Sequence, residues 1–320
     1  MALDILSNDA VQNFVSMEAC IDLMAATMVS VQQGKASLPL RSVVSLGDSG
    51  NAFVVMPGGI RHPETFGAKL ISFFPGNTRF PAIQGLIILF DGATGEPRAV
   101  VDAAAVTAIR TAAASGMATR ALAREDAATL ALLGYGVQAE YHLRSMQAVR
   151  SLRRVLVWGR SREKAQAFAE RNAARSGIEI LAVEDAQSAV QQADIVCTVT
   201  SSASPVLEGK WLKPGTHMNL VGAFSPTTRE VDTEAIRRAR VFVEIREFAL
   251  REAGELLIPI AEGALTPDHI VGEIADVLTG SIAGRTNASE ITAYKSLGNT
   301  AQDLATATYA HQQAAKRKGR

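Results

Sequence analysis

The sequence predicts an α/β protein built from two different domains. From about residue 127 onward, short β-rich runs alternate with Ala-rich amphipathic stretches such as SREKAQAFAERNAARSG. This alternation predicts βα units, and therefore a parallel sheet covered by helices on both faces. Residues 36–101 are richer in Gly and Pro and show alternating strand patterns, which predict an antiparallel, meandering sheet. A length of 320 residues also exceeds that of a usual single domain.

The predicted elements follow each other along the chain. The strands of the first domain are SVVSLG, AFVVMP, FGAKLISFF and GLIILFD. An Ala-rich helix near VTAIRTAAASGMATRALA follows and would join the two domains. The strands of the second domain are ATLALLG, RRVLVWG, IEILAV, ADIVCTVT, HMNLVGA and RVFVEI. After a strand-like ITAYKS, a last helix from about Gly298 to Ala315 could lie back on the first domain. We place the domains at residues 1–118 with 300–320, and at residues 119–299.

Composition argues against several classes of function. Lys plus Arg and Asp plus Glu both number 32, and no charged block runs through the body of the chain, which argues against nucleic acid as a partner. The basic end, residues 316–320, is interpreted as a solvated tail. The N-terminus has an acidic residue where a signal peptide has a basic one, and no apolar run approaches a membrane span. A cytoplasmic protein without a membrane partner is expected.

Cysteine and histidine positions give no indication of a metal. Cys20 and Cys197 stand in unrelated segments without metal or redox spacing, so a reducing compartment is expected. The histidines also lack metal-ligand spacing, and no serine-nucleophile elbow is present. They are His62, His142, His217, His269 and His311.

A glycine-rich turn carries the strongest local chemistry. Gly134 and Gly136 belong to a G-x-G-x-x-A motif between the strand ATLALL and the helical stretch VQAEYHLRSMQAV, and Val137 and Gln138 complete the turn. The first Gly permits a tight turn, the second lets the backbone approach a pyrophosphate, and a small third residue permits close helix packing. The motif therefore predicts a dinucleotide site. The alternative is a structural turn that binds no nucleotide.

The next strand ends in a basic segment that bears on the choice of cofactor. Arg160, Ser161 and Arg162 follow RRVLVWG, and no Asp or Glu lies between Glu140 and Glu163. NAD-specific sites usually place a carboxylate here for the ribose hydroxyls, whereas arginine suits a 2′-phosphate. The segment favours NADPH over NADH, although NADH stays open. The alternative is that both arginines are solvated loop residues.

Four cations of the first domain stand beside turn or strand-end glycines and prolines: Arg41, Lys69, Arg79 and Arg110. Arginine suits bidentate recognition of a carboxylate, and a lysine in a dry pocket can bind an anion or deliver a proton. Taken singly, each is more often a surface or structural charge. Arg110 differs because it sits in a small, apolar Ala/Thr segment where an unpaired guanidinium would be costly. Something anionic is expected to meet it.

Several segments together resemble the ornithine cyclodeaminase and mu-crystallin family, in that family's order along residues 41–303: VVMPG, AKLISFFPGNT, DGATGEPRAVVD, VTAIRTAAASGMA, LALLGYGVQA, VGAFSPTTREVD and KSLGNTAQD. The resemblance implies a Rossmann domain that binds NAD(P) and a discontinuous α+β domain that holds the substrate and forms a homodimer. It also implies an active site between the two domains.

The same resemblance implies roles for individual residues. Arg41, Lys69 and Arg110 would surround the substrate carboxylate, with Lys69 and Arg110 as catalytic candidates. Phe224 would be a wall that excludes water, and Ser225 and its neighbours would read the rest of the substrate. The residues expected to approach the cofactor are Thr111, Thr198, Thr200, Ser201, Val221, Gly222, Ser296, Gly298 and Asn299.

Two departures from the family pattern bear on the reaction. Ornithine cyclodeaminases have acidic residues at the positions occupied here by Val54 and Phe224. Cyclodeamination needs proton transfer through such carboxylates, so diamine chemistry is disfavoured. Reduction of a preformed C=N bond needs only a cofactor, carboxylate anchors and a proton source.

We therefore expect NAD(P)H-dependent reduction of a small 2-imino acid to the L-amino acid. Cyclic pyrroline-2-carboxylate, which gives proline, and acyclic iminosuccinate, which gives aspartate, both fit. Arg61, Arg79 and Arg229 leave room for a second carboxylate and keep iminosuccinate in consideration. The alternatives are an alanine-type amino-acid dehydrogenase, an ornithine cyclodeaminase, and a non-catalytic protein that binds NADPH or a small ligand.

Overall fold

Residues 3–47, 50–61, 64–317 and 319 are described by the computed structural model. His62, Lys318 and Arg320, which entered the expectations above, lie outside the described residues. The chain divides into two compact units, one formed by Met1–Thr111 with Gly298–Arg320 and the other by Ala112–Leu297.

The first unit contains a seven-stranded sheet. Its strands are β1 (Asp4–Leu6), β2 (Ala36–Ser37), β3 (Ser42–Ser45), β4 (Ala52–Arg61), β5 (Glu64–Phe73), β6 (Ile83–Asp91) and β7 (Pro97–Asp102). Its first helices are α1 (Asn8–Phe14), α2 (Met17–Gln32) and α3 (Ala103–Leu122), and α3 continues into the second unit. Strand order is β1-β7-β6-β5-β4-β2, with β3 also paired to β4. Every pair from β2 to β7 is antiparallel, as predicted, and β1 adds a parallel edge.

The second unit contains an eight-stranded, fully parallel sheet. Its strands are β8 (Thr129–Leu133), β9 (Arg154–Trp158), β10 (Glu179–Ala182), β11 (Ile195–Thr198), β12 (His217–Leu220), β13 (Ala239–Val243), β14 (Ile270–Glu273) and β15 (Ile291–Lys295). Its helices are α4 (Val137–Val149), α5 (Arg162–Ser176), α6 (Ala186–Gln192), α7 (Thr233–Arg238), α8 (Arg246–Glu252), α9 (Gly254–Ala261) and α10 (Ile274–Leu278). The chain then ends in α11 (Thr300–Arg317), which belongs to the first unit.

The strand order of the parallel sheet is β10-β9-β8-β11-β12-β15-β13-β14. The central strands β11 and β12 are buried along their whole length, which explains their continuous apolar sequences. Burial on both faces confirms the predicted parallel α/β arrangement. Two features were not predicted: β14 itself, and the insertion of β15 between β12 and β13.

The last helix covers one face of the antiparallel sheet. Along α11, small Ala and Thr side chains alternate with a few larger ones, and the first half of the helix is fully buried. Gly67 lies beneath it, because a Cβ there would come within 3.3 Å of the Leu304 side chain and 2.0 Å of the Ile88 carbonyl oxygen. The prediction that the last helix returns to the first domain is confirmed.

Short polar side chains set the starts of many helices. Ser7 and Ser16 cap α1 and α2 by accepting hydrogen bonds from backbone N–H groups three residues later.

In the described residues, no single helix has the length and apolar composition for a membrane crossing; α1 and α2 meet that criterion only as a pair bent by 86°.

Candidate functional site

A buried cluster of charges lies in the first unit. Lys69 comes from β5, Arg110 from α3 and Asp303 from the first turn of α11. The Lys69 Nζ donates to Asp303 Oδ1 at 3.1 Å, and the Arg110 Nε donates to the same oxygen at 3.0 Å. The side chains of Lys69, Arg110 and Asp303 are only 2 %, 7 % and 0 % exposed. The expectation that an anion meets Arg110 is confirmed, and the anion is Asp303.

Charge in this cluster is unbalanced toward the positive. Two cations share one oxygen of Asp303, while Asp303 Oδ2 is buried without a hydrogen-bond partner among the described residues. Arg41 adds a third positive charge close enough to act on Lys69 electrostatically. The single carboxylate of Asp303 cannot neutralise both Lys69 and Arg110, so the cluster is suited to receive a further anion such as a substrate carboxylate.

The same environment tunes Lys69. The pKa of Lys69 is lowered from 10.5 to about 8, chiefly by burial and also by the neighbouring charges of Arg110 and Arg41, while Asp303 opposes the shift. A lysine ammonium with this pKa is protonated at neutral pH and can still release its proton. Lys69 can therefore act both as an anion anchor and as a general acid.

The segment before α11 shapes the space around Arg110. Gly298 has φ +76°, and a Cβ there would lie 2.2 Å from Arg110 Nη1, so only glycine fits. Asn299 Oδ1 accepts a hydrogen bond from the Gln302 N–H at 3.2 Å, as an N-cap side chain does, and Gln302 Oε1 accepts one from Arg110 Nη1 at 3.2 Å. Gly298 and Asn299, expected to approach a cofactor, thus have direct packing and capping roles around Arg110.

The glycine turn of the second unit has the shape its sequence predicted. Gly134 has φ +127°, and a Cβ there would lie 2.7 Å from the Val199 carbonyl oxygen. A Cβ on Gly136 would meet nothing within 4 Å, so the backbone is open at this point. Helix α4 begins after Gly136 with no side-chain cap, and Val137 is exposed. Uncapped N–H groups beside an open backbone fit a pyrophosphate.

The rest of the turn packs inward. Ala139 is fully buried, which meets the need for a small residue at the third motif position. Tyr135 lies over Gly159, where a Cβ would come within 2.2 Å of the tyrosine ring. This pairing joins the first and second βα connections, and no local sequence pattern predicts it.

The basic segment after β9 is partly engaged. Ser161 caps α5 by accepting a hydrogen bond from the Lys164 N–H at 3.2 Å. Arg162 forms an exposed ion pair with Glu184, a carboxylate that follows β10. Arg160 is exposed. Of the two arginines proposed to read a 2′-phosphate, only Arg160 lacks a carboxylate neighbour in the described contacts.

A buried glutamate connects the loops that follow β11 and β12. Glu230 Oε1 accepts hydrogen bonds from the Thr200 N–H at 2.7 Å and the Thr200 hydroxyl at 2.6 Å. Its Oε2 accepts one from the Gly222 N–H at 2.6 Å. Gly222 has no room for a side chain, since a Cβ would lie 2.1 Å from the Thr200 carbonyl oxygen. Glu230 therefore fixes two loops that carry expected cofactor residues.

A second buried lysine supports this arrangement. The Lys295 Nζ lies 3.0 Å from Glu255 Oε2 and donates to the Ala223 carbonyl oxygen at 2.5 Å. Glu255 Oε1 accepts a hydrogen bond from the Glu230 N–H at 3.2 Å. Burial raises the pKa of Glu230, and its hydrogen bonds and the Lys295 charge oppose the rise. Sequence reasoning missed Glu230, Glu255 and Lys295.

The turn that follows β12 and contains Phe224 is exposed at its tip. The Phe224 side chain is 51 % exposed, and the Ser225 and Thr228 hydroxyls are 2.8 Å apart. Arg229 pairs with Glu262 at 3.1 Å. Arg79 lies over the Phe80 ring. Neither arginine gives the second-carboxylate interpretation any support.

Among the remaining expected cofactor residues, Thr198, Val221 and Ser296 stand at the carboxyl ends of the adjacent strands β11, β12 and β15. Thr111 and Thr198 are buried, and Ser201 is exposed. Val221 is half-buried, and the Ser296 hydroxyl donates to Glu244 Oε1 at 3.0 Å.

Within the part of the chain that the structure describes, no cluster of His, Cys, Asp and Glu side chains could hold a metal ion.

Comparison with known proteins shows the family. Residues 1–318 match the sequence profile of the ornithine cyclodeaminase/mu-crystallin family. The chain belongs to this family. The family resemblance inferred from the sequence is confirmed, and the match covers nearly the whole chain.

Three solved structures of high similarity have known activities. One is Δ(1)-pyrroline-2-carboxylate reductase of Thermococcus litoralis in complex with NADH and L-proline, with 34 % identity, TM-score 0.95, and 99 % and 98 % of the two chains covered. An archaeal alanine dehydrogenase dimer with bound NAD has 28 % identity, TM-score 0.93, and coverage of 99 % and 98 %. The iminosuccinate reductase of Paracoccus denitrificans in complex with NAD+ has 28 % identity, TM-score 0.91, and coverage of 99 % and 97 %. These matches confirm the predicted α/β class with a Rossmann-type domain.

Proposed function

We propose that the protein reduces a small cyclic 2-imino acid of the pyrroline-2-carboxylate type to the L-amino acid, with NAD(P)H as reductant. The observation that carries this proposal is the cluster of Lys69 and Arg110 on a single oxygen of Asp303. It offers uncompensated positive charge for a carboxylate and an ammonium with a pKa of about 8. The similarity to the pyrroline-2-carboxylate reductase of T. litoralis supports the same choice.

The residues of the cluster divide the work of binding and proton transfer. Arg110 and Arg41 anchor the substrate carboxylate, because a guanidinium presents paired donors that match its two oxygens. Lys69 adds an anchor or supplies the proton on the substrate nitrogen, which makes the C=N carbon electrophilic. A bound nicotinamide cofactor supplies the hydride that this carbon accepts. Dry surroundings strengthen each of these charge interactions.

The glycine turn is the proposed cofactor site. Gly134, Gly136 and the uncapped start of α4 would hold the pyrophosphate, while the loops fixed by Glu230 would support the rest of the molecule. Arg160 favours NADPH, although Arg162 is paired with Glu184. NADH is the second candidate, and the bound NADH of the T. litoralis reductase supports it.

Other reactions have weaker support. Val54 lies on the same sheet face as Lys69, two residue pairs beyond Met56 in the register, and it cannot transfer the proton that cyclodeamination needs. Iminosuccinate reduction is supported by the P. denitrificans structure, but Arg229 is engaged with Glu262 rather than free for a second carboxylate. An alanine-type dehydrogenase is supported by the archaeal structure.

A homodimer is proposed through the open face of the antiparallel sheet. Alternation places Val44, Phe53, Phe66 and Leu86 on the face opposite Lys69, and all four are exposed. A row of apolar side chains on one sheet face is typical of a subunit interface. Sedimentation should show a dimer that Leu86→Glu dissociates, and a monomeric wild-type protein would contradict the proposal.

The function is tested with a panel of imines. Purified protein is given NADH or NADPH with pyrroline-2-carboxylate, iminosuccinate, or pyruvate plus ammonia near neutral pH, and cofactor oxidation is followed. Cyclic imine reduction should be the fastest. Efficient turnover of pyruvate with ammonia would favour the alanine-type dehydrogenase, and cofactor binding without any turnover would favour the non-catalytic binding protein.

A further inference from the structure

We propose that Asp303 is a positioning residue for the reduction: its Oδ1 holds the Lys69 ammonium beside the Arg110 guanidinium and keeps Lys69 protonated for proton transfer. The inference rests on the proposed function and adds to it a residue that would not itself contact the substrate. Asp303 stands in the first turn of α11, far along the chain from both cations.

The geometry shows why the two cations need Asp303. Like charges held together in a dry site repel each other, and the Lys69 Nζ and Arg110 Nε both lie within 3.1 Å of the same carboxylate oxygen. Without that oxygen, the less costly arrangement would be a neutral lysine, because a guanidinium does not deprotonate. Asp303 therefore decides which of the two states Lys69 adopts.

Other groups around Lys69 cannot replace Asp303. On the neighbouring strands its register partners are Met56 and Ile87, which carry no charge. Arg110 and Arg41 are positive and work in the opposite direction. Cys20 from α2 is buried beside Thr306, and burial raises its pKa to about 12, so it stays neutral. Among the described residues that act on Lys69, only Asp303 is anionic.

The position of Asp303 is itself well fixed. The Asn299 side chain caps the start of α11, the neighbouring Gln302 binds Arg110, and Gly298 permits the guanidinium to lie against the backbone. A carboxylate on a capped, buried helix start has little freedom to move. This rigidity distinguishes a positioning residue from a surface counter-ion.

The test compares Asp303→Asn with wild type. The amide keeps the shape of the side chain but removes its charge, so Lys69 should lose its proton at lower pH. The pH at which kcat for imine reduction falls to half should move down by about one unit or more. The control Asp268→Asn changes a side chain that is 97 % exposed and should leave the profile unchanged. An unchanged profile in Asp303→Asn would overturn the proposal.

A direct titration separates this inference from the proposed function. The 15N resonance of the Lys69 Nζ, assigned with the help of Lys69→Arg, is followed against pH in the cofactor-free protein. A wild-type midpoint near pH 8 that falls in Asp303→Asn supports the inference even if no imine is turned over. If Asp303→Asn does not fold, wild type decides: Lys69 charged at pH 7 supports the inference, and Lys69 neutral at pH 7 overturns it.

Discussion

Each of the two units contains a buried lysine in a cluster of charges, and the clusters have opposite balance. In the first unit, Lys69 and Arg110 share one carboxylate, that of Asp303. In the second, Lys295 faces two carboxylates, Glu255 and Glu230. The first cluster holds more cations than carboxylates, and the second holds more carboxylates than cations.

The hydrogen bonds of the two clusters differ in the same way. Glu230 and Glu255 accept bonds from the Thr200, Gly222 and Glu230 backbone N–H groups and from the Thr200 hydroxyl. Asp303 Oδ2 has no hydrogen-bond partner among the described residues; Glu255 Oε2 accepts no hydrogen bond either, but it lies 3.0 Å from the Lys295 Nζ. A cluster whose carboxylates meet backbone donors and a cation stabilises the loops around it, whereas a cluster with more cations than carboxylates is suited to bind an anion. We infer that the second is structural and the first is the substrate site.

The largest expected effect is on catalysis in the first cluster. Lys69→Ala removes both an anchor and the proton donor, so kcat/KM for imine reduction should fall by roughly 10²- to 10⁴-fold. Arg110 still pairs with Asp303 in this variant, so the fold should persist. Steady-state kinetics measure the loss, and Lys210→Ala, at an exposed side chain, is the control. Full activity in Lys69→Ala would exclude Lys69 from the site.

The second cluster should respond mainly in stability. Lys295→Met leaves Glu255 and Glu230 buried without their cation, and removing one partner of a buried ion pair costs roughly 3–5 kcal/mol. Urea denaturation measures the free energy of unfolding, with Lys210→Met as the control. A variant as stable as wild type would remove the basis for calling this cluster structural.

The sequence identified much of this arrangement, but of the charge clusters it identified only the two cations of the first and no member of the second. Arg110 stood out because a guanidinium in an apolar Ala/Thr segment needs a partner. Asp303 lies in a similar Ala/Thr-rich helix, and the same reasoning applied there would have found it. Nothing local joins the two, since 193 residues separate them in the chain.

The fold shows the same limit. Alternation of strands and helices predicted the parallel sheet, and Gly134 and Gly136 predicted the turn before α4. The insertion of β15 between β12 and β13 depends on long-range pairing that no local pattern encodes. Glu230 stood within VGAFSPTTREVD, but its role appears only when Thr200 and Gly222 are brought beside it.

A smaller effect is expected at the link between the loops. Glu230→Gln replaces one acceptor oxygen with an amide donor, so the N–H groups of Thr200 and Gly222 cannot both be satisfied. KM for NAD(P)H should rise about tenfold, the equivalent of about 1.4 kcal/mol. KM for the imino acid should change less. Equal increases in both KM values would indicate a general loss of structure rather than a disturbed cofactor loop.

The smallest effect concerns cofactor choice. Arg160→Ala should raise KM for NADPH by no more than about fivefold and leave KM for NADH unchanged, because an exposed charge contact contributes about 0.2–1 kcal/mol. Arg153→Ala, at another exposed arginine, serves as the control. A marked preference of wild type for NADH would contradict the assignment of Arg160 to a 2′-phosphate.

The pH dependence of kcat tests the central claim most directly, namely that Lys69 donates the proton from a cluster with excess positive charge. The ammonium is present below its pKa, so wild-type kcat for imine reduction should be constant at neutral pH and fall as pH rises through about 8. Lys69→Arg retains its charge and should be slower, without this decline. A wild-type kcat that stays constant to pH 10, or the same decline in Lys69→Arg, would contradict the account.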